Sequence, residues 1–349
     1  MRGLSRRELA ENALTAGLVA LSGVLVAAGA TPVLRFAVAA VALAALARLV
    51  GAATEQLGAR LGSGRAGALQ SALGNLPELF VALFALHEGL TEVVQAALVG
   101  SVLSNSLLVL GLAFLAGGVR HGAQQFESPR ARMTATLTML AAAILAVPTL
   151  AHTLHTPAAA HSRTLSLICA GVLLVIFVVT LPTFLAEIPG ERHEPARWPF
   201  ATTVAVLAAA AVGAVFVSDW FVSALRPAIS TLHMSESFAG LVVVAIAGNA
   251  VENVVGIQLA ARNRPDFAVS VIVNSSLQVA LALTPVLVFA SLAFATSLTL
   301  VFPTLLAVAL LLGGIVGALV VYDGESTWEE GGILVGLYVV IAASFWWGA

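Results

Sequence analysis

The sequence predicts an all-α polytopic membrane protein with about eleven transmembrane helices, one N-terminal helix and two inverted five-helix repeats. Hydrophobic residues make up 60% of the 349 residues and charged residues only 10%, whereas soluble domains contain about 25% charged residues. The apolar residues form long runs, and one polar motif occurs in each half of the chain. Such a composition excludes an ordinary soluble enzyme. It also excludes a nucleic-acid-binding protein, which needs a basic patch.

Eleven stretches of the chain have the length of about 20 mostly apolar residues that a helix needs to cross a bilayer. They cover approximately residues 12–31, 33–53, 66–87, 91–117, 131–150, 163–185, 199–222, 238–261, 265–292, 297–321 and 330–348. The first stretch has a second interpretation, because arginines precede it and Ala28-Gly29-Ala30 ends it, as in a cleavable signal peptide. We expect this helix to be retained, and the other ten stretches do not depend on that choice.

The positions of the arginines between these stretches predict how the chain is oriented in the membrane. With the N-terminus in the cytoplasm, twelve arginines lie in inner segments and three in outer segments, in agreement with the positive-inside rule. We assign residues 1–32 to the N-terminal helix, 33–185 to the first repeat, 186–198 to a cytoplasmic linker and 199–349 to the second repeat. Because five is odd, the second repeat enters the membrane from the opposite side. The expected location is the cell membrane of a prokaryote.

A Gly-Asn-x-x-Glu motif occurs in the third and the eighth stretch. Its two copies comprise Gly74, Asn75 and Glu78, and Gly248, Asn249 and Glu252. A charged side chain at the centre of a bilayer costs about 2.5–3.5 kcal/mol on insertion scales, so we expect both glutamates to face the protein interior. Since the two stretches cross the membrane in opposite directions, the glutamates can meet near its midplane.

The next stretch of each repeat contains further polar residues at membrane depth, and one more follows the second motif. These residues are Ser101, Asn105, Ser270, Asn274, Gln278 and Asn253. Two interpretations stay open for each of them. Such residues can join helices through hydrogen bonds worth about 0.6 kcal/mol each, or they can support the glutamates and line a transport path.

Carboxylate, amide, hydroxyl and carbonyl oxygens together form a site that suits hard cations such as Ca²⁺. Two glutamates carry a charge of −2, which one divalent cation or two protons would neutralise. Without a cation, two desolvated carboxylates repel each other, so at least one should be protonated near neutral pH. Metal ion and protons then compete, and competition at an alternately exposed site produces antiport.

The motifs together resemble the cation/proton exchanger family of the calcium/cation antiporter superfamily, from about residue 55 onward. The resemblance lies in 54–57, 74–78, 94–95, 100–105, 248–252, 274–278 and 323–331. It implies exchange of cytosolic Ca²⁺ for external protons without a cofactor. It also implies Glu78 and Glu252 as cation and proton ligands, with Asn75 and Asn249 beside them. The sodium/calcium branch usually has Ser or Thr at these two Asn positions, which favours protons as the counter-ion. Family members usually have His where this chain has Asn253.

Other functions stay open. The same fold could exchange Na⁺ or K⁺ for protons, or Na⁺ for Ca²⁺, and a passive channel or scaffold is a further alternative. An intramembrane metallo-hydrolase is more remote, because such an enzyme typically uses a His–Glu cluster on one helix, and no histidine lies deep in any of the eleven stretches. The lipid bilayer and the transported ions are the expected partners, and the oligomeric state is left open.

Overall fold

The computed structural model of the protein describes residues 5–61, 73–126, 129–185 and 196–348. Within these ranges, the side chains of residues 61, 183–185, 251 and 252 lie outside the description. The predicted linker 186–198 is therefore described only at its last three residues. The start of the third apolar stretch also lies outside the described residues.

The first half of the described chain is helical. Its α-helices are α1 (Arg6–Ala27), α2 (Pro32–Leu61), α3 (Leu76–His87), α4 (Thr91–Leu103), α5 (Leu110–His121), α6 (Pro129–Thr153) and α7 (Ser162–Leu185). A π-helical segment, Ser104–Val109, joins α4 to α5. A short 3₁₀ helix, Pro157–His161, precedes α7.

The second half is helical too, with more interruptions. Its α-helices are α8 (Phe200–Leu232), α9 (Glu236–Phe238), α10 (Ala245–Gly248), α11 (Ala250–Ala261), α12 (Pro265–Gln278), α13 (Thr284–Ala290), α14 (Thr304–Asp323) and α15 (Trp328–Ser344). Two π-helical segments, Ala239–Val244 and Val279–Leu283, and a 3₁₀ turn, Ser291–Ala293, complete it. The exception to an all-α fold among the described residues is an antiparallel pair of two-residue strands, β1 (Gln124–Gln125) and β2 (Glu325–Ser326).

Among the described residues, eight helices are long and apolar enough to cross a membrane, or nine if one bent pair counts as a single span. The chain is therefore a helical multi-pass membrane protein. The predicted count of about eleven spans is not confirmed. Helix α3 has 12 described residues and α15 has 17, both fewer than the roughly 20 that a span requires.

The tenth apolar stretch was predicted to be a helix from residue 297, and this is wrong for its first seven residues. Helix α14 begins only at Thr304, and residues 297–303 are not helical. Leu298, Leu300 and Phe302 are buried, whereas Thr299 and Val301 between them are more exposed. This two-residue alternation is the pattern of an extended chain, and Pro303 directly precedes the helix.

The chain forms two compact units. The first unit contains Met1–Phe84, Ile176–His233 and Ala247–Val251. Within it, α2 packs along α8, where the rings of Phe36 and Phe221 stack with centroids 4.9 Å apart. Helix α1 joins this pair through an ion pair of 2.6 Å between Glu11 and Arg48.

The second unit contains Ala85–Val175, Met234–Ile246 and Glu252–Ala349. Helix α4 is its most enclosed element, since every residue from Val93 to Leu103 is buried. Gly100 lies against the backbone of Leu241, and Gly240 lies against the carbonyl of Val93, so closely that neither position has room for a Cβ atom. Small residues permit this close approach of helices in membranes.

Candidate functional site

The first Gly-Asn-x-x-Glu motif lies at the beginning of a helix. Gly74 and Asn75 form a turn, and the Asn75 carbonyl accepts a hydrogen bond of 2.9 Å from the Leu79 amide. Pro77 is the second residue of α3, a position where its missing N–H costs nothing. The turn places Glu78 in the first helical turn of α3, where only 3% of the residue is exposed.

The second motif lies at a break between two helices. Helix α10 ends at Gly248 and α11 begins at Ala250, with the fully buried Asn249 between them. The helical segments on either side, 236–248 and 253–261, are inclined at 63°. Discontinuous helices of this kind provide backbone groups to ion sites in membrane transporters. Glu252 belongs to α11, but its side chain lies outside the described residues, so the meeting of the two glutamates remains a prediction.

One contact joins the two motifs within the first compact unit. The side chain of Glu78 lies directly over Gly248, whose missing Cβ would be 3.3 Å from Cβ, 3.4 Å from Cγ and 3.6 Å from Cδ of Glu78. The buried acid of the first motif therefore packs against the glycine of the second. This contact is what an inverted repeat with converging motifs would produce.

A second group of predicted residues lies in the second compact unit. The Asn105 side chain, in the π-helical segment after α4, donates a hydrogen bond of 3.0 Å from Nδ2 to Oγ of Ser275 on α12. A Ser106–Ser276 hydrogen bond of 3.3 Å lies beside it. These bonds join the two helices predicted to carry the supporting polar residues.

The remaining predicted residues differ in their surroundings. Ser101 is fully buried on α4. Ser270, Asn274 and Gln278 follow one another at four-residue intervals on α12, and each is half-buried, so they occupy one face of that helix. Asn253 on α11 is buried, and its Oδ1 has no hydrogen-bond partner among the described residues.

Three polar residues with such contacts were not selected as site residues from the sequence: Gln95, Ser106 and Ser276. Gln95 and Ser276 do lie within stretches that resemble the family. The two serines are next to residues already selected, and serine in a membrane helix often bonds only to its own backbone. Gln95 had a clearer signal, because a glutamine inside an apolar helix requires a partner. Its amide donates to the Thr299 and Val301 carbonyls.

π-Helical segments are a further feature of the helices that carry these residues. One begins at Ser104 and contains Asn105, one directly follows Gln278, and one lies before Gly248. Single π-helical turns are frequent at functional sites, because they change the direction of the side chains that follow. Buried carboxylate, amide and hydroxyl oxygens on such helices are chemically suited to a hard cation.

Comparison with known proteins identifies the family. The family described as sodium/calcium exchanger protein matches residues 31–186 and 202–347. The Ca²⁺/H⁺ antiporter ChaA of Bacillus subtilis is 35% identical, with 89% of this chain and 91% of the relative aligned. The Ca²⁺/H⁺ antiporter of Aphanothece halophytica is 32% identical, with 89% of both chains aligned.

Solved structures agree with this match. The structure of native YfkE superimposes with a TM-score of 0.82 and 34% identity, covering 95% of this chain and 98% of that one. The H⁺/Ca²⁺ exchanger CAX gives a TM-score of 0.79 with 97% and 92% coverage, and at 15% identity it supports the fold alone. The chain therefore belongs to the sodium/calcium exchanger protein family.

Proposed function

We propose that this chain is a Ca²⁺/H⁺ antiporter, which exports cytosolic Ca²⁺ in exchange for protons by alternating access. The observation that carries the proposal is the contact of the buried Glu78 with Gly248, because it brings an acid of one motif to the backbone of the other. The relatives named Ca²⁺/H⁺ antiporters, which align with 89% of the chain, support the choice of ions. These relatives are named for Ca²⁺ and H⁺, whereas the description of the family also names sodium.

The proposed ligands of Ca²⁺ are four residues of the two motifs, Glu78, Glu252, Asn75 and Asn249. The supporting residues are Ser101, Asn105, Ser270, Asn274, Gln278 and Asn253. Six to eight oxygen atoms usually surround Ca²⁺ in proteins, so backbone carbonyls released at the helix break after Gly248 would complete the shell. Ca²⁺ and protons are the transported ions, and no cofactor is proposed.

The proposed organisation keeps the assignment made from the sequence, with an N-terminal helix (1–32), two inverted repeats (33–185 and 199–349) and a cytoplasmic linker (186–198). The matching positions of the Gly74–Asn75 turn and the break at Asn249 support the repeat. We place the N-terminus in the cytoplasm and the protein in a prokaryotic cell membrane, on the basis of the arginine distribution.

The transport cycle follows from charge. Ca²⁺ entering from the cytoplasm neutralises the two glutamates, and the neutral, occupied site can then be exposed to the outside. Protons arriving from outside compete for the same carboxylate oxygens and release the metal ion. The protonated site is again neutral and returns inward. Each ion therefore leaves because the other takes its place, which couples the two fluxes.

The test is reconstitution in liposomes with an acidic interior, recording Ca²⁺ uptake and the accompanying loss of internal protons. Wild-type protein should move both, and Glu78→Gln should abolish both fluxes while still inserting into the membrane. Glu88→Gln is the matched control, because Glu88 directly follows the same helix and is exposed. Full Ca²⁺ flux in Glu78→Gln would refute the ligand assignment. Proton-coupled movement of Na⁺ or K⁺ without Ca²⁺ would refute the choice of substrate.

A further inference from the structure

The extended segment Leu298–Phe302 is partly buried although it belongs to no helix. It joins the 3₁₀ turn Ser291–Ala293 to α14, and its Leu298, Leu300 and Phe302 side chains are buried. Buried backbone N–H and C=O groups that lie outside helices and sheets need other hydrogen-bond partners. The backbone groups of this segment must therefore bond to other parts of the protein.

Side chains of several helices provide those hydrogen bonds. The Leu298 amide donates to Oγ of Ser291 at 2.8 Å, and the Leu300 amide donates to Oγ of Ser166 at 2.9 Å. Thr149 on α6 makes two bonds, accepting from the Phe302 amide at 2.8 Å and donating to the Leu300 carbonyl at 3.2 Å.

The remaining partner is Gln95 on α4. Its Nε2 donates to the Thr299 carbonyl at 2.8 Å and to the Val301 carbonyl at 3.0 Å. Carbonyl oxygens only accept hydrogen bonds, so the NH₂ group of the amide must be the end that faces them. Both of its hydrogens are used, and Gln95 is 9% exposed. The two hydrogen bonds therefore fix the position of α4 along its axis and its rotation about that axis, both relative to the extended segment.

Helix α4 connects Gln95 to two of the predicted supporting residues. Ser101 lies six residues after Gln95, about 9 Å along a helix with a rise of 1.5 Å per residue, and Asn105 follows in the π-helical segment. The Asn105–Ser275 hydrogen bond holds the other end of this span. A shift of α4 at Gln95 would therefore move both polar residues.

We propose that Gln95 is a positioning residue for cation exchange, which sets Ser101 and Asn105 at the correct depth through its double hydrogen bond to the extended segment. The proposal rests on the proposed function, since it assumes that these two residues support the transported cation. Gln95 itself is not a ligand, and it acts through the placement of α4.

The experiment compares two variants that each remove two hydrogen bonds from the same segment. Gln95→Leu removes the pair made by α4. Thr149→Val removes the pair made by α6, a helix without any candidate site residue. In proteoliposomes driven by a pH step, Gln95→Leu should raise the KM for Ca²⁺ about tenfold, within the range for lost supporting contacts at metal sites. Its maximal rate should fall by less than its KM rises, and Thr149→Val should leave the KM unchanged.

Thermal unfolding of both variants in detergent measures the structural cost, which should be similar. Gln95→Asn, which keeps the amide but is one methylene shorter, should give a KM between those of wild type and Gln95→Leu. It replaces Gln95→Leu in the comparison with Thr149→Val if Gln95→Leu does not fold. An unchanged KM in the Gln95 variants would overturn the proposal, as would an equal rise in Thr149→Val. Failure of the proposed function looks different, because wild-type protein would then show no proton-driven Ca²⁺ flux.

Discussion

Replacing Gly248 by alanine tests the contact between the two motifs. The added methyl carbon would lie 3.3 Å from Cβ and 3.4 Å from Cγ of Glu78, where non-bonded carbon atoms prefer about 3.5–4.0 Å. The Glu78 side chain must therefore move by about 0.3 Å. A misplacement of about 1 Å at a functional site can reduce activity about 100-fold. If the free-energy cost is proportional to the displacement, a shift of about 0.3 Å reduces activity about fourfold, which corresponds to about 0.8 kcal/mol.

The same substitution should not weaken the fold. Gly248 ends helix α10, and alanine in a helix is more stable than glycine by up to about 1 kcal/mol. We therefore expect Gly248→Ala to retain or raise the temperature of unfolding while its KM for Ca²⁺ rises about fourfold. Proteoliposome uptake over a range of Ca²⁺ concentrations gives the KM, and thermal unfolding in detergent gives the stability.

Gly336→Ala on α15 is the control, because a Cβ atom there meets nothing within 4 Å. It adds the same methyl group to a helix without displacing a neighbour, so its KM should equal that of wild type. A wild-type KM in Gly248→Ala would mean that Glu78 is not held against Gly248 during transport. An increased KM together with a large loss of stability would mean that the methyl group disturbs the fold and not the acid.

Two further substitutions test the packing of the second compact unit, each with a matched control. Gly100→Ala should strongly reduce the yield of folded protein, because its Cβ would overlap backbone atoms of the facing π-helical segment, whereas Gly171→Ala has open space and should be neutral. Size-exclusion profiles of the purified variants measure both yields, and a wild-type profile for Gly100→Ala would contradict the contact. Gln124→Leu should lower the free energy of unfolding by about 1–3 kcal/mol, because the buried amide of Gln124 bonds to the end of α11 and to Asn263 just after it. Gln125→Leu should leave the free energy of unfolding unchanged, because Gln125 is exposed. Equal unfolding curves for the two variants would contradict the stabilising role of Gln124.

The helical fold could be predicted because a bilayer imposes a simple requirement on sequence. A spanning helix must be apolar for about 20 residues, and each of the eleven stretches contains described helix. The extended segment could not be found by the same criterion, because Leu298, Leu300 and Phe302 are as apolar as any helical residue. The alternation with Thr299 and Val301, followed by Pro303, was the available signal, but hydropathy averages over such a short pattern.

The candidate site was predictable to the extent that it depends on repetition. Two copies of one motif would converge if the repeats are inverted as we propose, and the structure shows one contact between the copies, that of Glu78 with Gly248. The partners of Asn105 were not predictable, because many serines in the chain could have reached it. The choice of Ser275 depends on how α4 and α12 cross, which is a property of packing between distant segments. The partners of Gln95 were not predictable for the same reason, since its acceptors are backbone carbonyls that have no sequence signature.

The burial of Glu78 gives a physical reason for coupled exchange. A charged side chain at the centre of a membrane costs about 2.5–3.5 kcal/mol, so a carrier whose acid is neither protonated nor metal-bound would be about 60- to 300-fold rarer than a neutralised one. If Glu78 is the ligand that we propose, the empty carrier would seldom change its orientation, because it would carry an uncompensated charge through the membrane. Ca²⁺ could then leave only when protons replace it. A solvated glutamate in the same place would lack this penalty, so the packing of Glu78 against Gly248 would contribute to coupling as well as to binding.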